Sequence, residues 1–396
     1  MGPLHGIRVI ELGQLIAGPF CGQLLADFGA EVVKIEPPGV GDAMRQWGRT
    51  DESGRTLWWP VIARNKKSMT LDLRHSKGQA VLKDLAGGAD VLIENFRPET
   101  MERWGLGWDT LYKINPRLVM ARISGFGQDG PYAKRAGFAS VCEAMAGLRY
   151  VSGYPDRPPV RVGISLGDSL AGLNAMIGIM LALHHRDQTG HGQIVDATIL
   201  ESVLSIMESL IPEYDKLAYV RERFGSVLPG LAPSNAYPAL DERDVIIGAN
   251  QDSIFYRLCK AMGQPELAKD PRFASHQSRG KHQSELDDVI SCWTRTKKAE
   301  EIVDLLSTNG IPAGMAYRAP EMLADPHFQE REIITRVEDP VFGMLAMQNV
   351  FPRLSASPGK IRHTGPSLGQ HTREVLTTWL SMNSDSIDEL HAENII

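Results

Sequence analysis

"GIRVIELGQLIAGPFCGQLLADFGAEVVKIE", residues 6 to 36, sets two short apolar runs on either side of a helical pattern. "GIRVIEL" (6–12) has the length and composition of a buried strand, and "AEVVKIE" (30–36) repeats it. Between them "FCGQLLADFG" (20–29) has the spacing of a helix, closed by Gly29. "ADVLIENF" (89–96) and "RLVMARISGFG" (117–127) are two further strand patterns, each after a helical segment. Strands that alternate with helices and are apolar along their whole length predict an α/β fold, with a parallel sheet covered on both faces.

The pattern extends through "DQTGHGQ" (187–193), a glycine turn, into "IVDATILESVLSIMESLI" (194–211), a strand running into a helix. From about Val227 the character changes, and "LPGLAPSNAYPA" (228–239) is linker-like in its Pro, Gly and Ser. "DVIIGANQDSIFYRLCKAMG" (244–263) opens a second, smaller α/β block that runs to about "GIPAGMAY" (310–317). The tail from Asp325 consists of short strands and turns and ends in "PSLGQHTREVLTTWL" (366–380), a capped helix. No internal repeat or low-complexity segment interrupts this order.

With 396 residues, two lobes are expected. A hydrophobic share of 43% and a charged share of 23% are those of an ordinary globular protein. The net charge of −6 argues against a nucleic-acid partner, which needs a basic face. Cys21, Cys142, Cys259 and Cys292 lie far apart without a CxxC pair, which fits free thiols better than a disulfide frame or a zinc site. No metal site is expected. The first residues enter a strand without a basic-then-apolar leader, and the longest apolar run, Ala171 to Leu183, is shorter than the ~18–20 residues of a membrane span. The expectation is a cytoplasmic protein with no membrane partner.

Several stretches invite a chemical reading. Gly13 and Gly18 with Glu36 sketch a dinucleotide fingerprint, but Leu15 and Ile16 are bulky where backbone must approach a pyrophosphate. "RNKKSMTLDLRHSKGQ" (64–79) gathers Arg64, Lys66, Lys67, Arg74, His75 and Lys77. It is either a solvated face or a site for a ligand with several phosphates. His184 and His185 in "LHHRD" point about 100° apart on a helix and cannot share one ion. There is no GxSxG elbow, Walker loop or HExxH. That leaves "GISLGDSLAGL" (163–173), where Asp168 stands alone at the head of an apolar helix. A helix cap is the common role of an acid there. The same geometry keeps a carboxylate ionised and poorly solvated, which suits a nucleophile. The residues alone leave both roles open.

Taken in order, "GIRVIEL…AGPFCGQLLADFGAEVVKIEPPGVGD", "RNKKSMTLDL", "ADVLIENFRP", "GFGQDGPY", "RPPVRVGISLGDSLAGL…HHRDQTGHGQIVDATI", "GIPAGMAY" and "PSLGQHTREVL" resemble the family III CoA-transferases, the CaiB–BaiF family. The resemblance spans nearly the whole chain. It implies a large Rossmann-like domain built from residues 1–225 and 326–396, a small domain at 226–325, and an interlocked homodimer. It implies that Asp168 forms acyl and CoA intermediates. Arg74, Asn95, Phe96 and Arg103 match positions that contact CoA. Gly248, Ala249, Asn250 and Gln251 match a loop that folds over the acylated aspartate, and Trp47 falls where oxalate-using members carry a tryptophan against that loop. Ile16, Pro37, Phe138 and Ala139 depart from the family pattern, and the loop has one glycine where relatives have a run.

The activity so implied is transfer of CoA from an acyl-CoA to a small acid such as oxalate or succinate. Acyl-CoA is the substrate, and no cofactor is permanently bound. An acyl-CoA racemase is the nearest rival, but its second base, a histidine, is replaced by Phe138 in "AGFAS" (136–140). A CoA-binding regulator is a third reading, and retention of the acid argues against it.

Overall fold

A computed structural model describes all residues except Met1 and Ser53. The chain divides into two compact units. One takes the residues through Leu148, then Val162–Pro212 and Arg331–Ile396; the other takes Arg149–Arg161 and Glu213–Glu330. The sequence expectation for the small domain was 226–325. In the second unit the Tyr150 hydroxyl donates to Glu222 at 2.7 Å and the Gly225 amide to the Gly153 carbonyl at 2.8 Å, which ties the 149–161 segment to residues near 225.

The first unit begins with β1 (Arg8–Glu11), α1 (Ala17–Asp27), β2 (Glu31–Glu36), β3 (Lys66–Thr70), α2 (Ser76–Gly87), β4 (Val91–Glu94) and β5 (Val119–Ser124). It continues with α3 (Ala139–Met145), α4 (Leu166–Thr189), β6 (Ile194–Thr198) and α5 (Ile199–Leu204). The six strands form one all-parallel sheet in the order β3-β2-β1-β4-β5-β6, with Val9 opposite Val32 on one side and Val91 on the other. Successive side chains of the inner strands β1, β2, β4 and β5 enter opposite cores, as the two-residue period requires. Val9, Val32, Val91, Val119 and Ala121 pack on the α1 and α4 face. Ile10, Val33, Leu92 and Met120 pack on the other face. Each such Val, Ile, Leu or Met side chain, fully buried, stabilises the fold by roughly 1.5–3 kcal/mol. This double burial is why the strands read as continuous apolar runs.

The apolar helix of the 163–183 region is α4, which runs 24 residues. By length and composition alone it could cross a membrane. Its side chains Ala171, Ala175, Ile179 and Ala182 are buried in the first core, while Leu173, Ile177 and Leu181 are exposed. Gly172 brings α4 against α1, because a Cβ there would lie 2.7 Å from the Ala17 carbonyl oxygen. The head of α4 therefore stands beside the first residue of α1.

The second unit contains β7 (Ser234–Pro238), β8 (Asp244–Gly248), α6 (Asp252–Ala261), α7 (Gln283–Thr294), α8 (Ala299–Thr308) and β9 (Ala313–Met315). Its sheet is antiparallel, β7-β8-β9, and its own core includes Tyr237, Ile247, Phe255, Ile290 and Ile302. The chain then returns to the first unit with the β10 (Ile334–Asp339) and β11 (Gly343–Gln348) hairpin, α9 (Thr372–Leu380) and α10 (Ser384–Ala392). Helix α9 sends Val375 and Leu376 into the second face of the large sheet, and Thr372 accepts the Thr70 amide of β3 at 3.0 Å.

Candidate active site

In the strand order β3-β2-β1-β4-β5-β6 the direction of winding reverses between β1 and β4. The crevice beyond the carboxyl ends of these strands is where such sheets bind ligands. A cavity of about 230 Å³ lies there, its walls including Gln14, Ile16, Asn95, Arg97, Phe138 and Asp168. A larger cleft of about 1060 Å³, lined by Arg8, Ala30 and Asn65 among others, lies at the amino ends of the strands, away from this crevice.

The β1–α1 turn is held from beneath by buried charge. Glu11 pairs with Lys34 at 3.1 Å and with Lys66 at 2.7 Å, and Lys34 pairs with Asp42 at 2.8 Å, all almost fully buried. Burial alone would raise the Asp42 carboxyl, but the Lys34 ammonium and the amides of Met44 and Leu15 hold it below the ordinary carboxylate range. Burial also works against Lys34, whose pKa is nonetheless raised by Asp42 and Glu11; burial wins at Lys66 and lowers it. The Lys34 ammonium donates to the Gly13 carbonyl, and Asp42 accepts the Leu15 amide at 3.1 Å. Leu15 itself sits at φ +64°, a strained backbone that the surrounding bonds over-determine. The two glycines of the turn serve close packing of backbone on backbone. A Cβ on Gly13 would lie 2.9 Å from the Gly18 Cα.

The segment after β4 forms the facing wall. Asn95 accepts the Gln14 amide through Oδ1 at 2.8 Å and donates through Nδ2 to the Gln14 carbonyl at 2.8 Å. Glu94 accepts the Phe96 amide at 2.8 Å and the Arg122 guanidinium at 2.8 Å. Burial pushes the Glu94 carboxyl up to about 7, against the pull of Arg122.

Asp168 is half-buried in the first turn of α4. The position that caps this helix is Ser165, whose side chain makes no capping bond; Asp168 is the third helical residue. The Gly167 amide instead donates to Glu143 on α3 at 3.0 Å. Cys142 adjoins this pair and donates to the Gly125 carbonyl at 3.3 Å. Burial pushes its thiol up to about 11, with the negative charge of Asp168 adding to the rise. A carboxylate at a helix head, in the wall of a small cavity, has the placement that a nucleophile would need.

The other expected site residues are distributed more widely. Of the four expected CoA contacts, only Asn95 lines the cavity with Asp168. Phe96 turns into the second core and meets Trp104 edge-on at 5.2 Å. Arg103 is exposed and donates to Thr100 at 2.9 Å. Arg74 is exposed after β3, with its amide on Asp72 at 2.9 Å. Its neighbours in the basic stretch are engaged: Arg64 with Asp27 at 2.6 Å, Lys66 with Glu11, Lys67 with Glu31 at 2.6 Å, and Lys77 with Glu393 at 2.5 Å. Trp47 is 43% exposed, and its carbonyl accepts the Thr56 hydroxyl.

Gly248–Gln251 belongs to the second unit, at the end of β8. Its backbone is anchored there: Gly248 donates to Pro312 at 3.0 Å, Ala249 donates to Pro233 at 2.8 Å, and Asn250 accepts from the buried Arg279 at 2.8 Å. Among the described residues no group of three or more His, Cys, Asp or Glu side chains converges as a metal site would require.

Gln14, Arg97 and Glu143 were not singled out by the sequence. Glu143 carried one signal, an acid inside the otherwise apolar "ASVCEAM" (139–145).

Residues 4–372 match the family model CoA-transferase family III. The chain is 57% identical over 394 residues to a succinyl-CoA–D-citramalate CoA-transferase of Chloroflexus aurantiacus, covering 100% of this chain and 98% of the relative. It is 42% identical to a succinyl-CoA–L-malate CoA-transferase beta subunit from the same organism, covering 100% and 98%. A crystal structure of a CaiB/BaiF family protein from Brucella suis superposes with a TM-score of 0.86 at 32% identity, over 96% of this chain and 99% of that one. The match in sequence and in fold runs essentially end to end, and the chain belongs to CoA-transferase family III and is a CoA-transferase.

Proposed function

We propose that this enzyme moves CoA from succinyl-CoA to a short hydroxydicarboxylate of the citramalate or malate type, with Asp168 as the covalent carrier. The observation that carries the reading is the Asp168 carboxylate at the head of α4, in the wall of the cavity at the sheet's switch point. The relatives at 57% and 42% identity are named for succinyl-CoA with D-citramalate and with L-malate. That weighs toward these acids and away from the oxalate suggested by Trp47.

Donor and acceptor then each present a carboxylate remote from the reacting one. Arg97 is exposed in the cavity wall, and its guanidinium has no side-chain or ion-pair partner among the described residues. It supplies a cation for that remote carboxylate.

The chemistry runs in four transfers at one carboxyl. Asp168 attacks the succinyl thioester carbonyl, giving a mixed anhydride and CoA thiolate. The thiolate attacks the aspartyl carbonyl, leaving an aspartyl-CoA thioester and releasing succinate. The acceptor carboxylate attacks that thioester, forming a new anhydride and freeing the thiolate again. Thiolate attack on the acceptor's acyl carbonyl yields the product CoA ester and restores Asp168. A carboxylate suits this role because its anhydride and its thioester are both activated enough to pass the group on. The same reading takes over a homodimer from the family resemblance and keeps the cytoplasmic location expected from the sequence.

The test is a panel of oxalate, D-citramalate, L-malate, glutarate and carnitine incubated with succinyl-CoA, with products read by mass. Transfer to the hydroxydicarboxylates is expected. Transfer confined to oxalate or to carnitine overturns the substrate assignment.

A further inference from the structure

Helix α4 is capped from outside its own sequence. Ser165 holds the cap position without a side-chain capping bond, and the Gly167 amide, one residue before Asp168, donates to Oε1 of Glu143 at 3.0 Å. Glu143 lies on α3, 24 residues earlier in the chain, and is 1% exposed. Burying a carboxylate is costly unless hydrogen bonds and dipoles compensate it, and a helix N-terminus provides both. The contact is also close by construction. A Cβ on Gly167 would lie 3.1 Å from Glu143 Cγ, 3.2 Å from its Oε1 and 2.9 Å from Ile199 Cγ2. Glycine at 167 is what lets the carboxylate and the Ile199 side chain seat against the helix head. The first turn of α4 is thus gripped on its amide and on its Cα, and Asp168 projects from that turn into the cavity.

We propose that Glu143 is a positioning residue for Asp168: by holding the Gly167 amide it fixes the first turn of α4, and with it the point from which the Asp168 carboxylate reaches the thioester. The proposal rests on Asp168 being the nucleophile. Its physical content is orientation, for which a misplacement of about 1 Å is enough to cost ~10²-fold in rate.

The full-length enzyme is mixed with succinyl-CoA and no acceptor, and the rate of CoA attachment to the Asp168 peptide is followed by mass over a range of succinyl-CoA concentrations. Glu143→Ala should slow attachment by about 10²-fold. The succinyl-CoA concentration at half-maximal rate should move less than about twofold, because ground-state binding is untouched. Glu143→Gln keeps an oxygen at Oε1 and should restore the rate to within about tenfold of wild type, one decade of the two that misplacement costs. Glu143→Asp keeps the charge but withdraws the oxygen by one methylene, and should be slow; this variant serves if Glu143→Ala does not fold. A folded Glu143→Ala or Glu143→Asp enzyme reacting at the wild-type rate overturns the proposal, as does a loss found wholly in the half-saturating concentration. Attachment of CoA to a folded Asp168→Asn enzyme sinks the nucleophile reading itself, which keeps the two failures apart.

Discussion

The Asn95 carboxamide satisfies both backbone polar groups of Gln14, accepting its amide and donating to its carbonyl at 2.8 Å each. One side chain after β4 therefore sets the height of the β1–α1 turn, on the opposite lip of the same cavity. Asn95→Asp keeps the acceptor but sets an oxygen against the Gln14 carbonyl. Loss of such a bond with its partner left unsatisfied costs about 1–3 kcal/mol. Displacement of the turn should lower kcat/KM about 10²-fold. Thermal unfolding and steady-state kinetics on the same preparation check both numbers. A variant with wild-type kcat/KM would show that the turn does not need this brace.

Stability should depend on pH through Glu94. Burial raises its carboxyl to about 7 in the folded protein, above the 4.5 of the ordinary glutamate. Below about pH 4.5 the group is protonated folded or unfolded, and its contribution is fully present. Between about 4.5 and 7 the folded state holds a proton that the unfolded chain has lost, so stability from this site falls as pH rises and is gone above about 7. Glu94→Gln removes the titration and keeps an acceptor for Phe96 and Arg122. Its urea midpoint should fall less than the wild type's between pH 5 and pH 7.5, roughly the window set by the two pKa values. Parallel curves for the two proteins would contradict the assignment.

Much of this architecture was legible because its signals are local. The strand runs at 6–12, 30–36, 89–96 and 117–127 hold the observed β1, β2, β4 and β5, and their unbroken apolarity followed from burial on two faces. What escaped was pairing at a distance. The cations of the 64–79 stretch looked available to an anion, but Arg64 finds its carboxylate at Asp27, and Lys77 finds one at Glu393, more than 300 residues on. No periodicity carries that information. The surroundings of Asp168 escaped for a similar reason. Its place in the chain fits a cap, and only the folded geometry assigns that position to Ser165 and the Gly167 amide to Glu143.

Arg74 keeps an exposed guanidinium while the cations around it are paired, so it is the member of the stretch still suited to a phosphate. It does not line the Asp168 cavity. Arg74→Ala should raise KM for succinyl-CoA about tenfold and leave kcat within about twofold, the pattern of lost uniform binding. The KM for the acceptor should not change. Equal KM values for both proteins would return Arg74 to a solvated face.

Asp168 bears the sharpest prediction, because its two possible duties lead to different outcomes. Glu143 takes the Gly167 amide, so the part of helix α4 capping that falls to Asp168 is a charge at the helix end. Asp168→Asn and Asp168→Ser should lower stability by at most about 1 kcal/mol, the size of one lost helix-end charge interaction. Both variants should still bind CoA, since that needs no covalent step. Neither an amide nor a hydroxyl can carry an acyl anhydride and a CoA thioester through the cycle, so transfer should fall at least 10⁴-fold, about the loss seen when a nucleophile is removed from other covalent enzymes. Wild-type enzyme given succinyl-CoA without acceptor should gain the mass of CoA on the peptide that contains Asp168. Hydroxylamine should release it, because it attacks activated carboxyl groups. A folded Asp168→Asn enzyme turning over near the wild-type rate would reduce Asp168 to a charge at a helix end and leave the cavity without its nucleophile.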